Sequence, residues 1–514
     1  MITPLSFSLA SIFLSLLTFG VLYAIYKLVV VPYLNMLYYK RQGVDILFHK
    51  TIIPLFKNQV NARKHGDCYL TYKQFLKDKP DTKAFVENFG PGEQLILLDP
   101  NMIKEYLKRY ETYHKPLDDF GLFAQLVAGS VIFAEDQAWK KRRRMVTSAF
   151  NFDFLKHVVP VIINATQESF NSWIAKDELR DINIIEKLGN ITGEITGRFV
   201  FGKNFQGKKL RNMPITTGVQ KLITDLAMEH FSLPVMIFGP KLIEKGILPK
   251  HKQLLNDVRE IRQICQGMIK ETEMNQEKEN NLLNLLLEFR HKGNPEERLT
   301  DEDILGEFIG LFGAGTDTTS HLVGSAIYFL YRYPNIFEKV KKEVDEVFGE
   351  DLRNVDIERI NKMSYTTAFL KEALRCGGPT GCFFTRRAVK EDDLCGIKVK
   401  KGTMVNIYHE LFYSSEKYYS NPQEFAPERW LEDSFYSKDG VKGESYAFLP
   451  FSAGPRNCLG QHLGMIEARI LIGLFIKTFN FSFPENYKFI MMQRFTYEPL
   501  DPLLISLKPI HEKE

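Results

Sequence analysis

Cysteine is scarce in this chain of 514 residues, and its few positions follow no regular spacing. The cysteines are Cys68, Cys265, Cys376, Cys382, Cys395 and Cys458. The sequence contains no CxxC pair, which excludes a disulfide-stapled scaffold and the common zinc-ribbon spacings. Scattered cysteines of this kind favour a reducing compartment.

A surplus of charge is also absent, because 67 Lys and Arg residues stand against 63 Asp and Glu residues, giving a net charge of +4. So small a charge over this length gives no reason to expect a nucleic-acid partner. Hydrophobic residues make up 44% of the chain and charged residues 25%, which is typical of a packed globular protein. At roughly 150 residues per domain, the length suits three domains or one large helical enzyme.

Charged side chains are missing from the first 26 residues, and Leu5–Tyr26 is a predominantly apolar run of 22 residues. A membrane span needs about 20 such residues, whereas a cleaved signal peptide would have a basic start and a shorter apolar run. Basic residues are in excess just after this run, which by the positive-inside rule places the following chain in the cytosol. We expect a signal anchor over residues 1–39, with a transmembrane helix over about 5–26, and a cytosolic domain over 40–514. A buried core helix is the alternative.

The rest of the chain has mostly helical patterns with a few short β segments. Phe85–Pro100 predicts two strands around a Gly-Pro-Gly turn, and strands return around Ala388–Asn406. From Asn101 to Glu350 the pattern is mostly helical, and Pro334–Gly349 predicts a helix with Pro at its start and Gly at its end. The uncharged segment Phe231–Pro240 is either core or a surface for lipid or an apolar ligand, and we expect it in the core.

Cys458 lies at the end of a glycine-containing loop, directly before a predicted helix that starts near Gln461. Backbone N–H groups and the helix dipole favour negative charge there, so we expect a stabilised thiolate. Gly454 and Gly460 allow a tight turn and the close approach of a flat partner, and Arg456 adds a cation. These are the features that a thiolate ligand of heme iron requires.

Two other interpretations of Cys458 remain open at this point. A lone cysteine is often a buried structural residue. Cys458 and His462 also share a helix face and could form a metal pair, although two further ligands at zinc spacing are missing.

The whole string around Cys458 resembles the heme-binding signature of the cytochrome P450 superfamily. The matching positions are Phe451, Gly454, Arg456, Cys458 and Gly460. From average residue usage, such a match arises by chance on the order of once in ten thousand chains. The resemblance implies a cytochrome P450 fold, mainly α with small β-sheets (α+β), which binds heme b (iron protoporphyrin IX) with Cys458 as the axial iron ligand.

Residues 300–332 predict a buried helix with a capping-box-like start. Glycines and polar residues interrupt its apolar centre between Gly313 and Thr319, although each glycine costs a helix interior about 1 kcal/mol. Broken local rules of this kind mark functional sites. The string resembles the oxygen-groove motif of the family, which implies that Thr318 hydrogen-bonds bound dioxygen and that Asp317 relays protons. A polar cap of a helix kink is the alternative.

Two further elements resemble the family in the expected order. Glu372 and Arg375 form an ExxR pattern, and the later string Phe425–Trp430 resembles the family's PERF element with Trp430 in place of Phe. The resemblance implies a structural ion-pair triad of Glu372, Arg375 and Arg429 beneath the heme.

The WxxxR pattern at Trp139 and Arg143 implies contacts with one heme propionate, and the resemblance assigns Arg386 and Arg456 to propionates as well. Four other basic residues of this run are expected to face outward: Lys140, Lys141, Arg142 and Arg144. Such a face is either simply solvated or the docking surface for an acidic reductase.

The chain also departs from the family pattern. Only Pro32 and Pro54 stand where relatives have a proline-rich hinge after the anchor. Cys376–Pro379 replaces the common Tyr-Pro-Pro run after ExxR. Ala314 stands where some fatty-acid hydroxylases carry a glutamate that esterifies the heme, which argues against covalent attachment.

The resemblance implies a monomeric, single-pass enzyme of the endoplasmic reticulum membrane that inserts one oxygen atom of O2 into a small lipophilic substrate. No GxGxxG fingerprint follows a predicted strand, so NADPH would act through a separate flavoprotein reductase. A heme-thiolate isomerase or dehydratase, and a non-enzymatic membrane heme protein, are the alternatives. The expected pocket segments are Leu117–Phe133, Phe231–Phe238, Ile309–Thr318, Pro379–Phe384 and Arg494–Leu500.

Overall fold

The computed structural model describes residues 9–51, 54–148, 150, 152–202, 205, 207–274, 281–291, 298–381, 385–431 and 445–510. Residues 5–8 of the expected membrane span, Cys382, and residues 382–384 of one expected pocket segment lie outside the described residues.

Helices make up most of the described chain. In chain order they are α1 Leu9–Ile25, α2 Val31–Lys40, α3 Pro54–His65, α4 Leu70–Asp78, α5 Pro100–Lys108, α6 Leu122–Val127, α7 Asp136–Ser148, α8 Phe152–Ala175, α9 Ile184–Phe201, α10 Ile215–His230, α11 Leu233–Phe238, α12 Lys241–Glu244, α13 Pro249–Met274, α14 Leu282–Arg290, α15 Asp301–Arg332, α16 Pro334–Phe348, α17 Ile357–Ile360, α18 Ser364–Gly377, α19 His409–Tyr413 and α20 Gln461–Thr478. Short 3-10 turns lie at Leu117–Phe120, Leu352–Asn354, Pro427–Trp430, Ser445–Ala447 and Gly454–Arg456.

The strands are short. They are β1 Asp45–Leu47, β2 Ala84–Phe89, β3 Gly92–Leu97, β4 Tyr113–His114, β5 Ile182–Asn183, β6 Lys209–Leu210, β7 Met213–Pro214, β8 Arg386–Ala388, β9 Asp392–Leu394, β10 Ile397–Val399, β11 Met404–Asn406, β12 Phe479–Ser482, β13 Met491–Gln493, β14 Tyr497–Pro499 and β15 Leu504–Pro509. The fold class predicted from the sequence, mainly α with small sheets, is confirmed.

The largest sheet joins strands from the first quarter of the chain to two strands at 386–406, in the order β1-β2-β3-β11-β8-β4. The antiparallel pair β2–β3 confirms the strand-turn-strand prediction for Phe85–Pro100. β3 then pairs in parallel with β11, with Gln94 opposite Met404. One cluster of buried apolar side chains lies against this sheet, and a larger one fills the helical part of the molecule.

The N-terminal helix is longer than expected, because α1 continues through a π-helical turn, Tyr26–Val30, into α2. The π turn precedes Pro32, whose missing N–H interrupts a regular α-helical ladder. Within the described residues one helical stretch, Ser11–Lys40, is long and apolar enough to cross a membrane. Its last part packs with the globular fold, since Tyr39 is fully buried and its hydroxyl lies 2.6 Å from Thr403 Oγ1.

The uncharged segment 231–240 is only partly in the core. Val235 and Met236 of α11 are buried, whereas Leu233 and Phe238 are 52% and 71% exposed. The expectation of core packing therefore holds for one side of this short helix, and its other side is an apolar surface.

Helix α15 runs through the centre of the helical part and packs against α9, α18 and α20. It begins with the expected capping box, in which Thr300 and Asp303 each accept from the other's backbone N–H. Its first half crosses the loop after α6 very closely. A Cβ atom added to Gly306 would lie 2.4 Å from Gly129 Cα, so this crossing requires glycine.

Candidate active site

Cys458 lies in the loop between the 3-10 turn Gly454–Arg456 and the start of α20. Its backbone N–H donates to the Phe451 carbonyl at 2.8 Å, which closes the loop. Gly454 has a φ of +71°, a left-handed conformation that favours glycine. The Cys458 side chain is exposed at the end of this loop.

The expected stabilisation of the Cys458 thiolate is only partly present. Desolvation by the surrounding protein raises the pKa of the thiol above its ordinary value, while the Gly460 N–H and the charges of Arg143 and Lys115 act in the opposite direction. Desolvation outweighs these groups, so the protein part of the site does not lower the thiol pKa. A bound cation such as a heme iron would supply the missing stabilisation, because a coordinating thiol loses its proton.

Buried cations converge close to this loop. Arg386 and Arg456 are both buried, and Lys115 donates from Nζ to the Ile132 carbonyl at 2.6 Å. Burial and repulsion by the two arginines lower the pKa of Lys115 to about 7. The Glu135 carboxylate accepts from Arg456 Nη2 at 2.9 Å, which leaves the cluster with a surplus of positive charge.

One donor of this cluster also lacks a partner. Arg386 Nη1 is buried and has no hydrogen-bond acceptor among the described residues. An unpaired buried donor is costly, and a group of like charges repels itself. An anionic ligand with several oxygen atoms relieves both problems, so these residues fit the propionate groups of a heme.

The WxxxR residues contact the Cys458 loop rather than standing apart from it. Arg456 lies over the Trp139 ring, with Cζ 4.7 Å from the ring centroid. Arg143 donates to the Asn457 carbonyl at 2.7 Å and to Asn457 Oδ1 at 2.6 Å. Trp139 and Arg143 therefore support the loop and its arginine in this structure.

The outward orientation expected for Arg142 is wrong. Its side chain is only 15% exposed and forms an ion pair with Asp303 at the start of α15. The reason is a long-range contact, because this side of α7 faces the acidic first turn of α15. Lys140 and Arg144 are exposed as expected, and Lys140 pairs with Glu111 at 2.9 Å.

The oxygen-groove string of α15 has an accessible side within an otherwise buried helix. Ala314 is exposed and Thr318, one turn later, is half-buried. Thr318 Oγ1 donates to the Ala314 carbonyl at 2.8 Å. The glycines on either side of Ala314 serve close packing, since a Cβ on Gly315 would lie 2.7 Å from Thr196 Oγ1. The helix continues without a break through this region.

The Asp317 carboxylate contacts a cluster that the sequence analysis did not find. Its carboxylate Oδ1 lies 3.5 Å from His321 Nδ1 and 3.4 Å from Gln220 Nε2. His321 Nε2 lies 3.1 Å from Glu498 Oε2 in the C-terminal hairpin. The spacing of four residues between Asp317 and His321 could have indicated this contact, whereas nothing local pointed to Glu498. Lys115 was also missed, because no motif surrounds it.

The three residues of the expected ion-pair triad are in contact. Glu372 Oε1 lies 2.7 Å from Arg375 Nη2 and 3.0 Å from Arg429 Nε, and all three side chains are buried. The Trp430 indole N–H also donates to Glu372 at 2.9 Å. The tryptophan that departs from the family pattern thus adds a hydrogen bond to the triad.

Two of the expected pocket segments meet at aromatic side chains. Phe123 packs edge-on against Phe133 at 5.5 Å and against Phe495 at 5.9 Å between ring centroids. The backbone N–H of Tyr497 donates to the Pro379 carbonyl at 2.8 Å, which brings a third segment to the same hairpin. Phe231 instead packs against Phe89 of the sheet.

Ligands for a metal bound by protein side chains alone are missing from the described part of the chain, where no group of three or more His, Cys, Asp or Glu residues could hold an ion. The alternative of a Cys458–His462 metal pair therefore gains no further ligand.

Known proteins resemble this chain over most of its length. The family profile described as Cytochrome P450 matches residues 49–505. Cytochrome P450 716A67 of Medicago truncatula is 27% identical over 413 residues, covering 77% of this chain and 76% of that protein. The 11-oxo-beta-amyrin 30-oxidase of the same plant is 27% identical over 433 residues, covering 81% of this chain and 79% of that protein.

A third relative, the cytokinin hydroxylase of Arabidopsis thaliana, is 27% identical over 438 residues, covering 83% of this chain and 81% of that protein. The crystal structure of the cytochrome P450DA heme domain superimposes with a TM-score of 0.73 at 18% identity, covering 88% of this chain and 95% of that chain. That likeness concerns the fold, and the family match extends to the activity. This chain belongs to the cytochrome P450 family of heme-dependent monooxygenases.

Proposed function

We propose that this protein is a membrane-anchored heme-thiolate monooxygenase that oxidises a small lipophilic substrate with electrons from a separate NADPH-dependent flavoprotein reductase. The observation that carries the proposal is the arrangement of Cys458 at the end of its loop next to a surplus of buried cations. Heme, when bound, supplies activation of dioxygen for insertion of one oxygen atom into a C–H or double bond.

Cys458 Sγ is the proposed protein atom that would hold the heme iron. The Gly460 N–H favours the thiolate form and limits its electron donation. Phe451 closes the loop through its carbonyl, and Gly454 provides the left-handed turn. Arg386 and Arg456, joined by Lys115, are the proposed propionate partners, while Trp139 and Arg143 hold Arg456 and the loop in place.

Thr318 and Asp317 are the proposed proton-handling residues. Thr318 Oγ1 lies on the accessible side of α15 and keeps its own hydroxyl oriented by donation to the Ala314 carbonyl. Asp317 has a carboxylate that exchanges protons with water and delivers them toward Thr318. The triad of Glu372, Arg375 and Arg429 has a structural role, since its ion pairs and the backbone carbonyls that accept from both arginines lie within the core.

The reductase is proposed to dock on the exposed basic side of α7, which carries Lys140 and Arg144. The same helix contacts the Cys458 loop through Arg143, so a partner bound there would lie close to that loop. Opposite charge guides transient electron-transfer encounters. Arg144→Glu should raise the KM for the reductase more at low than at high ionic strength, and an unchanged KM would contradict the docking site.

Membrane attachment is proposed through the helix Ser11–Lys40, with the endoplasmic reticulum as the site and the catalytic domain in the cytosol. The apolar side of α11, with Leu233 and Phe238, supports a second contact with lipid. Lys27 Nζ donates to the Ile237 carbonyl at 2.6 Å, which joins the anchor to that helix. Extraction of membranes at alkaline pH should leave the protein in the pellet, and release into the supernatant would exclude a spanning anchor.

A lipophilic substrate is supported by the aromatic contacts of Phe123 with Phe133 and Phe495. Two relatives are described as 11-oxo-beta-amyrin 30-oxidase. A panel of triterpenes, steroids and fatty acids can be screened by the change in the heme absorption spectrum on binding.

The proposal is tested by the carbon monoxide difference spectrum of the dithionite-reduced holoprotein. A long-wavelength Soret band is expected for the wild type and for Cys395→Ala, a matched variant at another exposed cysteine. Cys458→Ala should lose the band while keeping its fold by circular dichroism. Absence of the band in heme-loaded wild type, or its survival in Cys458→Ala, would overturn the assignment of the ligand.

A further inference from the structure

His321 lies one turn after Asp317 on α15, and both of its ring nitrogens face hydrogen-bond acceptors. Nδ1 is 2.7 Å from the Asp317 carbonyl oxygen, and Nε2 is 3.1 Å from the Glu498 carboxylate. A carbonyl and a carboxylate can only accept, so each ring nitrogen must carry a proton. The contacts therefore define His321 as an imidazolium cation.

The cation lies within a row of alternating charges. The Asp317 carboxylate is 3.5 Å from Nδ1 on one side, and Glu498 on the other side pairs with Arg494 Nη1 at 2.5 Å. Burial alone would lower the pKa of His321, but Asp317 and Glu498 outweigh burial and raise it to about 9. The Arg494 side chain is 33% exposed, so the row extends from the middle of α15 to the protein surface.

The same contacts act on Asp317. Burial raises the pKa of its carboxyl above the ordinary value, the adjacent His321 charge works against that rise, and the Glu498 charge adds to it. A relay carboxyl must exchange protons with water, and one that burial keeps permanently protonated cannot accept another proton. The Gln220 amide, 3.4 Å from Oδ1, holds the carboxylate from the side of α10.

We propose that His321, held by Glu498, is a positioning residue that keeps the Asp317 carboxylate ionised and oriented for proton transfer. The proposal rests on the proton-handling role given to Asp317 above. The charged groups that face the imidazole are Asp317 from α15 and Glu498 from β14, and Arg494 balances Glu498. A cation supplied by this helix position thus acts on the reaction without touching heme or substrate.

The first test is an infrared pH titration of the holoprotein. The C=O band of the protonated Asp317 carboxyl is identified by its loss in Asp317→Asn. Removing an opposite charge at this distance raises a carboxyl pKa by about 1 to 3 pH units, so His321→Gln should move the titration midpoint upward by that amount. His321→Lys, which restores a cation, should return the midpoint toward the wild-type value.

The control is His251→Gln, which removes another buried histidine. His251 of α13 lies 2.9 Å from Glu229 of α10, and neither helix is α15. Its titration midpoint for Asp317 should be unchanged. An unchanged midpoint in folded His321→Gln, or an equal shift in His251→Gln, overturns the proposal. If His321→Gln does not fold, the proposal is tested on the wild-type protein instead. Nitrogen-15 spectra of histidine-labelled protein must then show one imidazolium that persists to pH of about 9, and its absence overturns the proposal.

A second readout separates this proposal from the one on which it rests. Peroxide released per NADPH consumed is measured against pH with a microsomal reductase and lauric acid as the probe. An unchanged ratio in Asp317→Asn would refute the relay role of Asp317 itself. A raised ratio in Asp317→Asn together with an unmoved infrared midpoint in His321→Gln would refute only the role of His321.

Discussion

The Glu372 carboxylate lies 3.0 Å from Arg429 Nε across 57 positions of the chain, and neither side chain is exposed to solvent. Arg375 shares the same carboxylate, so one negative charge is the counter-ion of two buried cations. It also joins α18 to the 3-10 turn Pro427–Trp430.

Removing the charge of Glu372 should strongly destabilise the protein. Glu372→Gln leaves two arginines buried without a counter-ion, and breaking a buried pair in this way costs about 3 to 5 kcal/mol. Urea unfolding of the holoprotein measures the loss. Glu338→Gln, an exposed position on α16, is the control and should change the unfolding free energy by less than about 0.5 kcal/mol. Equal effects of the two variants would contradict the ion-pair account.

Thr318→Ala should uncouple NADPH consumption from product formation. Loss of the hydroxyl removes a positioned group for proton transfer, which at the lower end of its usual range is worth about 10²-fold in rate. Peroxide should accumulate in place of product while heme content stays normal. Thr318→Ser keeps an Oγ atom and should retain most of the coupling, so a serine variant as defective as alanine would argue against a hydroxyl role.

Lys115→Met should have opposite effects on the two forms of the protein. It removes a buried cation that repels Arg386 and Arg456, so the heme-free form should become more stable. It also removes a charge-assisted contact with heme, worth about 1.5 to 3 kcal/mol, so heme should dissociate about 10- to 100-fold faster. Transfer of heme to apomyoglobin measures that rate. Lys140→Met on the exposed side of α7 should leave it unchanged.

Two glycine substitutions should change stability in opposite directions. In Gly306→Ala the new Cβ would lie 2.4 Å from Gly129 Cα, and overpacking of this kind costs about 1 to 3 kcal/mol. Gly267 in α13 has no atom within 4 Å of an added Cβ, so Gly267→Ala should stabilise the protein by about 0.5 to 1 kcal/mol. Thermal unfolding of both variants measures these changes. A stabilised Gly306→Ala would refute the close crossing of α15 and the loop at Gly129.

Stability should depend on pH through Glu307. Burial raises the pKa of this carboxyl to about 8, and its Oε2 has no hydrogen-bond partner among the described residues. The proton on this carboxyl stabilises the native state, and the stabilisation is complete at a pH below the carboxyl pKa of the unfolded chain. It is lost as pH rises through about 8, at up to about 1.4 kcal/mol per pH unit. Glu307→Gln should therefore lose less stability than wild type between pH of about 5 and 8. Parallel stability curves would contradict this.

Features that depend on local signals were predictable from the sequence. The capping box at Thr300, the Gly-Pro-Gly turn after β2 and the helix Pro334–Phe348 each follow from residues within one or two turns. The Cys458 loop was found because its pattern is contiguous. The fold class followed from the same patterns together with the family resemblance.

Features that depend on distant contacts were not predictable in the same way. Arg142 belongs to a basic run that looks solvated, and only its encounter with Asp303, 161 positions later, buries it. His321 reads as a polar residue in an apolar helix until Glu498 is brought to it from a hairpin 177 positions away. The pKa of Lys115 is lowered by burial and, in addition, by two arginines from the last third of the chain that lie beside it.

The parallel pairing of β3 with β11 has a consequence for how the protein is made. Gln94 finds its partner Met404 only after about 310 more residues have been synthesised, which at usual ribosome speeds takes about 15 to 60 s. During that interval the nascent β3 has an open edge, and such exposed edges invite aggregation. This edge of β3 therefore stays unpaired until the last quarter of the protein has left the ribosome.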